Sequence, residues 1–298
     1  MQALLVGQTR PTVVIVGCGT VGTAMAKLLG CAGYPIAAVV TGHIETARRA
    51  AQATGADHYS DRAWEVTLRG EVVFIATPDD LIASVCSQIA EHEGFRKDAV
   101  VIHCSGALSS QILAPARDCS AHAATLHPLQ SFASVDQAVS LVPGSFCAVE
   151  GDEAALPVVR QMVEDVGGIL LEITPGKKTL YHAAAVAASN YLVTLMGLAI
   201  ELNTAAGLPE DTSFDALLPL VKGTLSNVSV QGVPGALTGP IARGDVATVS
   251  AHIQAIEKDA PQFLALYKCL GRYTVDFARA KRSIGAETAE RLLELLRS

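Results

Sequence analysis

The stretch that most constrains this chain is "TVVIVGCGTVG", residues 12–22. An apolar run of β-branched residues passes straight into glycines at 17, 19 and 22. The run has no polar alternation, so it suits a strand covered on both faces, which needs parallel neighbours and covering helices. "IAAVVT" (36–41), "EVVFIAT" (71–77) and "AVVIHCS" (99–105) are further runs of the same type, each ending in small or polar residues. Helical stretches separate them, among them "IETARRAAQATGA", with Arg48 and Arg49 on its solvent side. "AATLHP", "SFCAVEG" and "GILLEI" read as three more short strands, with the helix "EAALPVVRQMVEDVG" between the last two. This order builds a doubly wound, mostly parallel α/β sheet.

After about Thr174 the strand signals stop. The remaining chain reads as helices: "KKTLYHAAAVAASN", "FDALLPLVKGTLSNV", "ATVSAHIQAI", "PQFLALYKCLGRYTVDFARA" and "AETAERLLELLRS". The expected division is a Rossmann-type α/β domain at 1–174 and an all-helical domain at 175–298, meeting at Thr174-Pro175-Gly176. A chain of 298 residues, half of them hydrophobic, suffices for two cores.

The formal net charge is −7 and no run is rich in Lys or Arg, so nucleic acid is not expected as a partner. The seven cysteines include no C-x-x-C pair, and Met1 to Arg10 carries no signal-peptide pattern. Reduced thiols in the cytoplasm are expected. The apolar stretch from Ala183 to Ile200 approaches the length of a membrane span. Ser189, Asn190 and Thr194 interrupt it and Glu201 closes it, so a buried core or subunit-interface helix is expected instead of a span.

Gly17, Gly19 and Gly22 follow a strand directly and open a helix, the context in which G-x-G-x-x-G binds a dinucleotide. Gly17 permits the tight turn, Gly19 the approach of a pyrophosphate, and Gly22 close packing of helix on strand. The free N–H groups of Thr20 and Val21 would face the anion. Where an NAD site usually carries an acidic residue for the ribose, this chain has Thr41, Gly42 and His43. A carboxylate would repel a 2′-phosphate, so its absence favours NADP, with NAD the alternative. Thr41 and His43 are candidate phosphate partners, with Arg48 or Arg49 in reach and Glu45 against them. Ala76, Thr77 and Pro78 end the next predicted strand on the same edge, where small residues suit a backbone passing close to the cofactor. Asp79 and Asp80 read as caps of the following helix.

His103 and Cys104 end one strand, and Cys119, His122 and His127 follow. The spacing of Cys119 and His122 could hold zinc, but no second paired cluster accompanies it, so no metal is expected. His127 reads either as a packed loop histidine or as a residue lining a substrate cleft. Lys178 and His182 stand four apart, about 6 Å along one face of a helix. Ser189 is seven residues beyond His182 and stays within about 20° of that face, with Asn190 near it. A polar stripe on an apolar helix should face a wet cleft. Hydride transfer to C=O or C=N needs a donor for the charge that develops there, and Lys or His can serve. The alternative is a solvated Lys178 and a buried structural His182.

"VGCGTVG", "HCSGALSSQIL", "LHPLQSF", "LYHAAAVAASNYLVTL" and "GALTGPIARGD" together resemble NADP-dependent oxidoreductases with an N-terminal Rossmann-like domain and a helical C-terminal domain of unknown function. The resemblance spans about Thr12 to Ile256. More distantly, the layout is similar to pyrroline-5-carboxylate reductase, ketopantoate reductase and the β-hydroxyacid dehydrogenases. It implies catalytic roles for Lys178 and His182 and a dimer whose helical domains pack together, while Ser105 is a further candidate for cofactor contact. Relatives often carry Ser-Arg where this chain has Thr41-Gly42, so the arginine expected to grip a 2′-phosphate is missing. "LTGPIARGD" (237–245) reads as a loop leading into a helix that Asp245 caps. Thr238, Arg243, His127 and Asn190 are candidate substrate residues, Arg243 as the partner of a carboxylate. The expected activity is NADP-dependent reduction of a small carbonyl or imine compound. A non-catalytic NADP(H)-binding sensor that signals through its dimer interface is the second reading.

Overall fold

The computed structural model describes residues 10–174 and 176–297. The leader pattern sought in the first nine residues, and Pro175 of the expected boundary, lie outside the described residues. The strands are β1 (Val13–Val16), β2 (Ile36–Val40), β3 (His58–Ser60), β4 (Val72–Ile75), β5 (Val100–His103), β6 (His122–Pro128), β7 (Phe146–Gly151) and β8 (Ile169–Glu172). They form one sheet in the spatial order β3-β2-β1-β4-β5-β6-β7-β8. Strands β1 to β6 are parallel, β7 runs antiparallel to β6, and β8 is parallel to β7. The strand β3 escapes a reading for buried runs because it is short and leaves His58 and Tyr59 exposed at the sheet edge.

Alternation along the strands explains why these runs carry no polar positions. Val13, Ile15, Val72, Phe74, Val100 and Ile102 pack into one core cluster. Val14, Val16, Val73, Ile75 and Val101 pack into another. Both faces are therefore covered, as a parallel sheet requires. The helices of this unit are α1 (Thr20–Cys31), α2 (Ile44–Thr54), α3 (Asp79–Glu91), α4 (Ala114–Asp118), α5 (Val135–Leu141), α6 (Leu156–Asp165) and α7 (Lys178–Ala188). Strands end with β8, close to the expected boundary, but by its contacts α7 groups with the sheet. The first compact unit runs to Ser189 and the second begins at Asn190.

The second unit is helical: α8 (Asn190–Ala205), α9 (Glu210–Ala236), α10 (Gly239–Arg243), α11 (Val246–Asp259), α12 (Leu264–Ala280) and α13 (Ala286–Leu295). Its core joins Ile241, Val249, Val275, Ala278, Ala289, Leu292 and Leu296. The stretch expected as a loop before Asp245 is in fact the short helix α10, ended by Gly244 at φ 69°. Asp245 caps α11 as expected, accepting from the Thr248 N–H at 3.0 Å and its hydroxyl at 2.6 Å.

The run from Ala183 to Ile200 departs from the first of its two expected forms, a buried core helix. It is not a core helix of this chain: it breaks at Ser189 into α7 and α8, and only Leu198 of α8 is buried. Tyr191 is 61% exposed and Val193 71%. The helices α10 to α13 supply the unit's core, and the apolar residues of α8 other than Leu198 are partly buried or exposed. Residues Lys178–Ala205 are long and apolar enough to cross a membrane by length and composition alone. The first turn of that run is nonetheless anchored in the α/β unit, where Lys178 is buried and Tyr181 bonds His127.

The reversal at β7 is braced by one ion pair. Arg117 in α4 grips both carboxylate oxygens of Asp152, at 2.9 and 3.0 Å, and Asp152 also accepts from the Ala123 N–H of β6 at 2.7 Å. Asp152→Ala leaves the Ala123 N–H without its acceptor and Arg117 with Ser110 in place of a carboxylate, so chemical denaturation should report a loss of about 1–3 kcal/mol.

Candidate active site

The strand order reverses direction between β1 and β4, and ligands of such sheets bind at the carboxyl ends of strands beside that reversal. Gly17 leaves β1 with φ +96°, and its N–H donates to Val40 O at 2.9 Å. A Cβ on Gly17 would stand 2.7 Å from the backbone of Ala76 and Thr77. A Cβ on Gly22 would run into the Gly17 carbonyl. Both glycines are therefore demanded by the protein's own packing. Gly19 is not, because a Cβ there would meet nothing within 4 Å. Helix α1 starts at Thr20 with Gly19 in the cap position and no side chain to satisfy its first N–H groups. Beside this loop, the Thr77 hydroxyl is buried without a hydrogen-bond partner. A glycine that packing does not need, open helix N–H groups and an orphaned hydroxyl fit a dinucleotide's pyrophosphate. The residues that would hold it are Gly17, Gly19, Thr20, Val21 and Gly22, with Ala76, Thr77 and Pro78 flanking.

At the end of β2 the Thr41 hydroxyl donates to His43 O at 2.9 Å. Arg48 is paired with Glu45 at 2.7 Å, and Arg49 Nε points to Glu45 O at 3.4 Å. The structure therefore gives both arginines partners within their own helix.

One strand further along, the chain after β5 folds over a second cluster. Ser105 donates to Asp79 at 2.7 Å and accepts from the N–H groups of Ala107 and Leu108 at 3.2 and 3.1 Å. One donor and two acceptor positions exhaust a hydroxyl. Ser105 thus builds the loop, and its hydroxyl has no hydrogen bond left for the cofactor contact expected of it. Asp79 is likewise no cap: it reaches across to Ser105, and neither it nor Asp80 makes a capping bond to α3. His103 is buried, with Nε2 directed at Ser109 O (3.1 Å) and Nδ1 accepting from the Ser105 N–H (3.2 Å). Helix α7 docks on this loop through the Thr179 hydroxyl, which donates to Ala107 O at 3.4 Å.

Lys178 is 1% exposed, so the first residue of α7 does not face a wet cleft as expected. Its Nζ has no hydrogen-bond partner. Burial brings its pKa down to about 8, against the opposing charges of Glu150, Cys104 and Asp79. Glu150 is itself buried in β7 and held by Ser110, whose N–H and hydroxyl both donate to it at 2.6 and 2.9 Å. Burial first and the Lys178 charge second push His103 and His127 down to about 4, so both are neutral at physiological pH. His127 lies in β6 near its carboxyl end, with Nδ1 3.1 Å from the Tyr181 hydroxyl and its ring edge-on to His182 at 6.2 Å. Gly106 is wedged against both: a Cβ there would stand 2.8 Å from His127 Nε2 and 2.5 Å from the His182 ring.

The structure therefore gathers Lys178, His182 and His127, which the sequence proposed, with Gly106, Tyr181 and Glu150, which it did not. Tyr181 stands three residues from Lys178 and shares its side of α7, a signal available in the spacing. Glu150 is the one acidic residue of "FCAVEG" and marked a buried charge. Ser189 leaves the stripe because α7 ends at Ala188. Asn190, Thr238 and Arg243 belong to the second unit: Asn190 opens α8, Thr238 precedes α10 and Arg243 ends it, exposed. Cys119 has only a long contact to Ala90 O at 3.9 Å, and His122 lies 3.8 Å from Asp98. Among the described residues, no three His, Cys, Asp or Glu side chains group to hold a metal.

The glycine geometry separates two roles. Gly19→Ala should leave the melting temperature within a degree or two of native and lower dinucleotide affinity more than tenfold by calorimetry. Gly22→Ala should lower both, since helix and strand must part.

Family models match the chain in two segments, a Rossmann-like domain at residues 3–128 and a domain of unknown function, DUF2520, at residues 145–274. No curated protein matches the sequence. Among solved structures, protein TM1727 from Thermotoga maritima is 31% identical, with 91% of this chain and 100% of that one covered at a TM-score of 0.72. Protein BF3122 from Bacteroides fragilis is 24% identical, with 90% and 99% covered and a TM-score of 0.73. The pyrroline carboxylate reductase of Plasmodium falciparum, solved with NADP bound, shares the fold at 15% identity, 98% and 100% coverage and a TM-score of 0.55. The chain belongs to the family of TM1727, and joins a Rossmann-like domain to a DUF2520 domain.

Proposed function

We propose that the protein is an NADP(H)-dependent oxidoreductase that reduces a small carbonyl or imine compound, with Lys178 as its proton donor. The observation that carries this reading is the buried, unpartnered Nζ of Lys178 on the same carboxyl edge as a glycine loop with room for a pyrophosphate. A sensor needs the loop but has no use for a desolvated ammonium, whose burial is costly. Bound NADPH supplies the hydride. Lys178 holds a proton that no protein atom accepts and delivers it to the substrate oxygen or nitrogen as that atom gains negative charge. Glu150, fixed by Ser110, and Asp79 keep the ammonium form populated near neutral pH. His127 and Tyr181 border the same space. NADP is favoured over NAD by the absence of a carboxylate at Thr41, Gly42 and His43, and the NADP-bound relative of the same fold agrees with it. Seven free cysteines suit a reducing cytoplasm.

The test is NADPH consumption over a panel of keto acids, ketones and cyclic imines. Lys178→Met should lower kcat by about 100-fold or more. Reduction uses the protonated lysine, so its rate should fall as pH rises through about 8, and oxidation should rise across the same interval. A variant within a few-fold of native, or a pH profile with no limb near 8, removes Lys178 from the chemistry.

The same reading includes a homodimer. Tyr191 and Val193 on α8 and Leu220, Leu225 and Val230 on α9 are more than half exposed. A second copy of the chain is the partner that would cover them. Sedimentation should show a dimer for the native chain and a monomer for Val193→Asp/Val230→Asp; a native monomer would overturn this part.

A further inference from the structure

We propose that Tyr181 is a positioning residue that fixes His127 as its Nε2–H tautomer, so that the imidazole offers a hydrogen-bond donor beside Gly106. The inference rests on the oxidoreductase reading only for the use to which that donor is put. The geometry is set by three contacts. His127 Nδ1 and the Tyr181 hydroxyl lie 3.1 Å apart. The tyrosine ring stands edge-on to the imidazole at 86°. The Nε2 side of His127 abuts Gly106, where a Cβ would leave only 2.8 Å.

A neutral imidazole carries one proton on two nitrogens, and whichever nitrogen accepts a hydrogen bond leaves the proton on the other. A phenol is a far better donor than a neutral imidazole N–H, and an imidazole nitrogen a better acceptor than a phenol oxygen. The Tyr181 O–H therefore donates to Nδ1, and the proton of His127 resides on Nε2. Lys178 acts in the same direction, because a cation nearby opposes protonation of the ring and keeps it neutral. His182 adds a second ring on the other side of Gly106, 6.2 Å from His127 between centroids. The two side chains of α7 and the absent side chain of Gly106 thus hold His127 in one orientation with one tautomer.

The consequence for chemistry is a division of labour. Lys178 moves a proton. His127 keeps its own and donates a hydrogen bond to an oxygen or nitrogen that becomes negative, because a neutral imidazole N–H is too weak an acid to give its proton away. A base at His127, which the histidine alone would allow, is ruled out by the tyrosine behind it.

Nitrogen NMR on the uniformly 15N-labelled full chain tests the assignment without any substrate. His127 is identified among the eight histidines by the signals that vanish in His127→Gln. Near pH 7.5, long-range proton–nitrogen correlations should show a protonated Nε2 and an acceptor Nδ1 for His127. In Tyr181→Phe the Nδ1 signal should move toward that of an unbonded nitrogen, and the ring should relax toward the two-tautomer mixture of free imidazole. A native Nδ1–H tautomer, or nitrogen shifts unmoved by Tyr181→Phe, overturns the proposal. Once a substrate is in hand, Tyr181→Phe should lower kcat about tenfold with KM within about twofold, and leave the limb near pH 8 in place. A change in KM alone would make Tyr181 a binding residue and overturn the positioning role. Absence of any turnover would count against the oxidoreductase reading, and the nitrogen spectrum would still decide the role of Tyr181.

Discussion

The ammonium of Lys178 is the interaction on which the functional half of this structure turns. A buried charge without a hydrogen-bond partner is tolerated only where its surroundings compensate, or where a ligand completes them. Here the compensation is long-range and incomplete. Glu150 and Asp79 supply opposite charge, but both oxygens of Glu150 already accept from Ser110 and Asp79 Oδ2 from Ser105. The lysine is therefore held close to its point of deprotonation, with its pKa near 8. Burial first, and the same charge after it, keep His103 and His127 neutral.

That arrangement depends on loops at the carboxyl edge that have no freedom of their own. Ser105 uses all of its hydrogen-bonding capacity to turn the chain after β5, and Gly106 then lies too close to two imidazoles to bear a side chain. Gly17 and the backbone of Ala76 and Thr77 make an equally close approach one strand away. Both contacts are glycine backbone packed against a neighbour, with no room for a Cβ at either.

Much of the fold was legible because burial on both faces leaves an unmistakable pattern: "VVIV", "IAAVV", "VVFI" and "VVIH" admit no other reading in a chain punctuated by helical segments. The strand β3 was not, since three residues of which two are exposed carry no buried run, and α10 was not, since Gly-Pro reads as a turn. At the site, spacing put Lys178 and His182 on one side of a helix and placed His127 at a strand end. It could not show that Lys178 is covered, because the groups that feel its charge arrive from β5, β7 and the start of α3. The bond from Ser105 to Asp79 spans 26 residues and is likewise a product of topology. The offset of Tyr181 from Lys178 places it on the same side of α7, but its bond to His127 spans 54 residues and is again a product of topology.

Helix α7 is counted with the sheet and α8 with the helical unit, so the seam between the two halves falls at Ser189, inside one hydrophobic run. Most multidomain chains are joined by a polar linker that can be cut or lengthened at little cost. This one is not. Severing it at the compositional shift near Thr174 would remove Lys178, Tyr181 and His182 from the half that surrounds them, and severing it at Ser189 would free an apolar end. The first turns of α7 and the glycine loop after β1 therefore belong to one compact unit, and neither cut leaves that unit both whole and without an exposed apolar end.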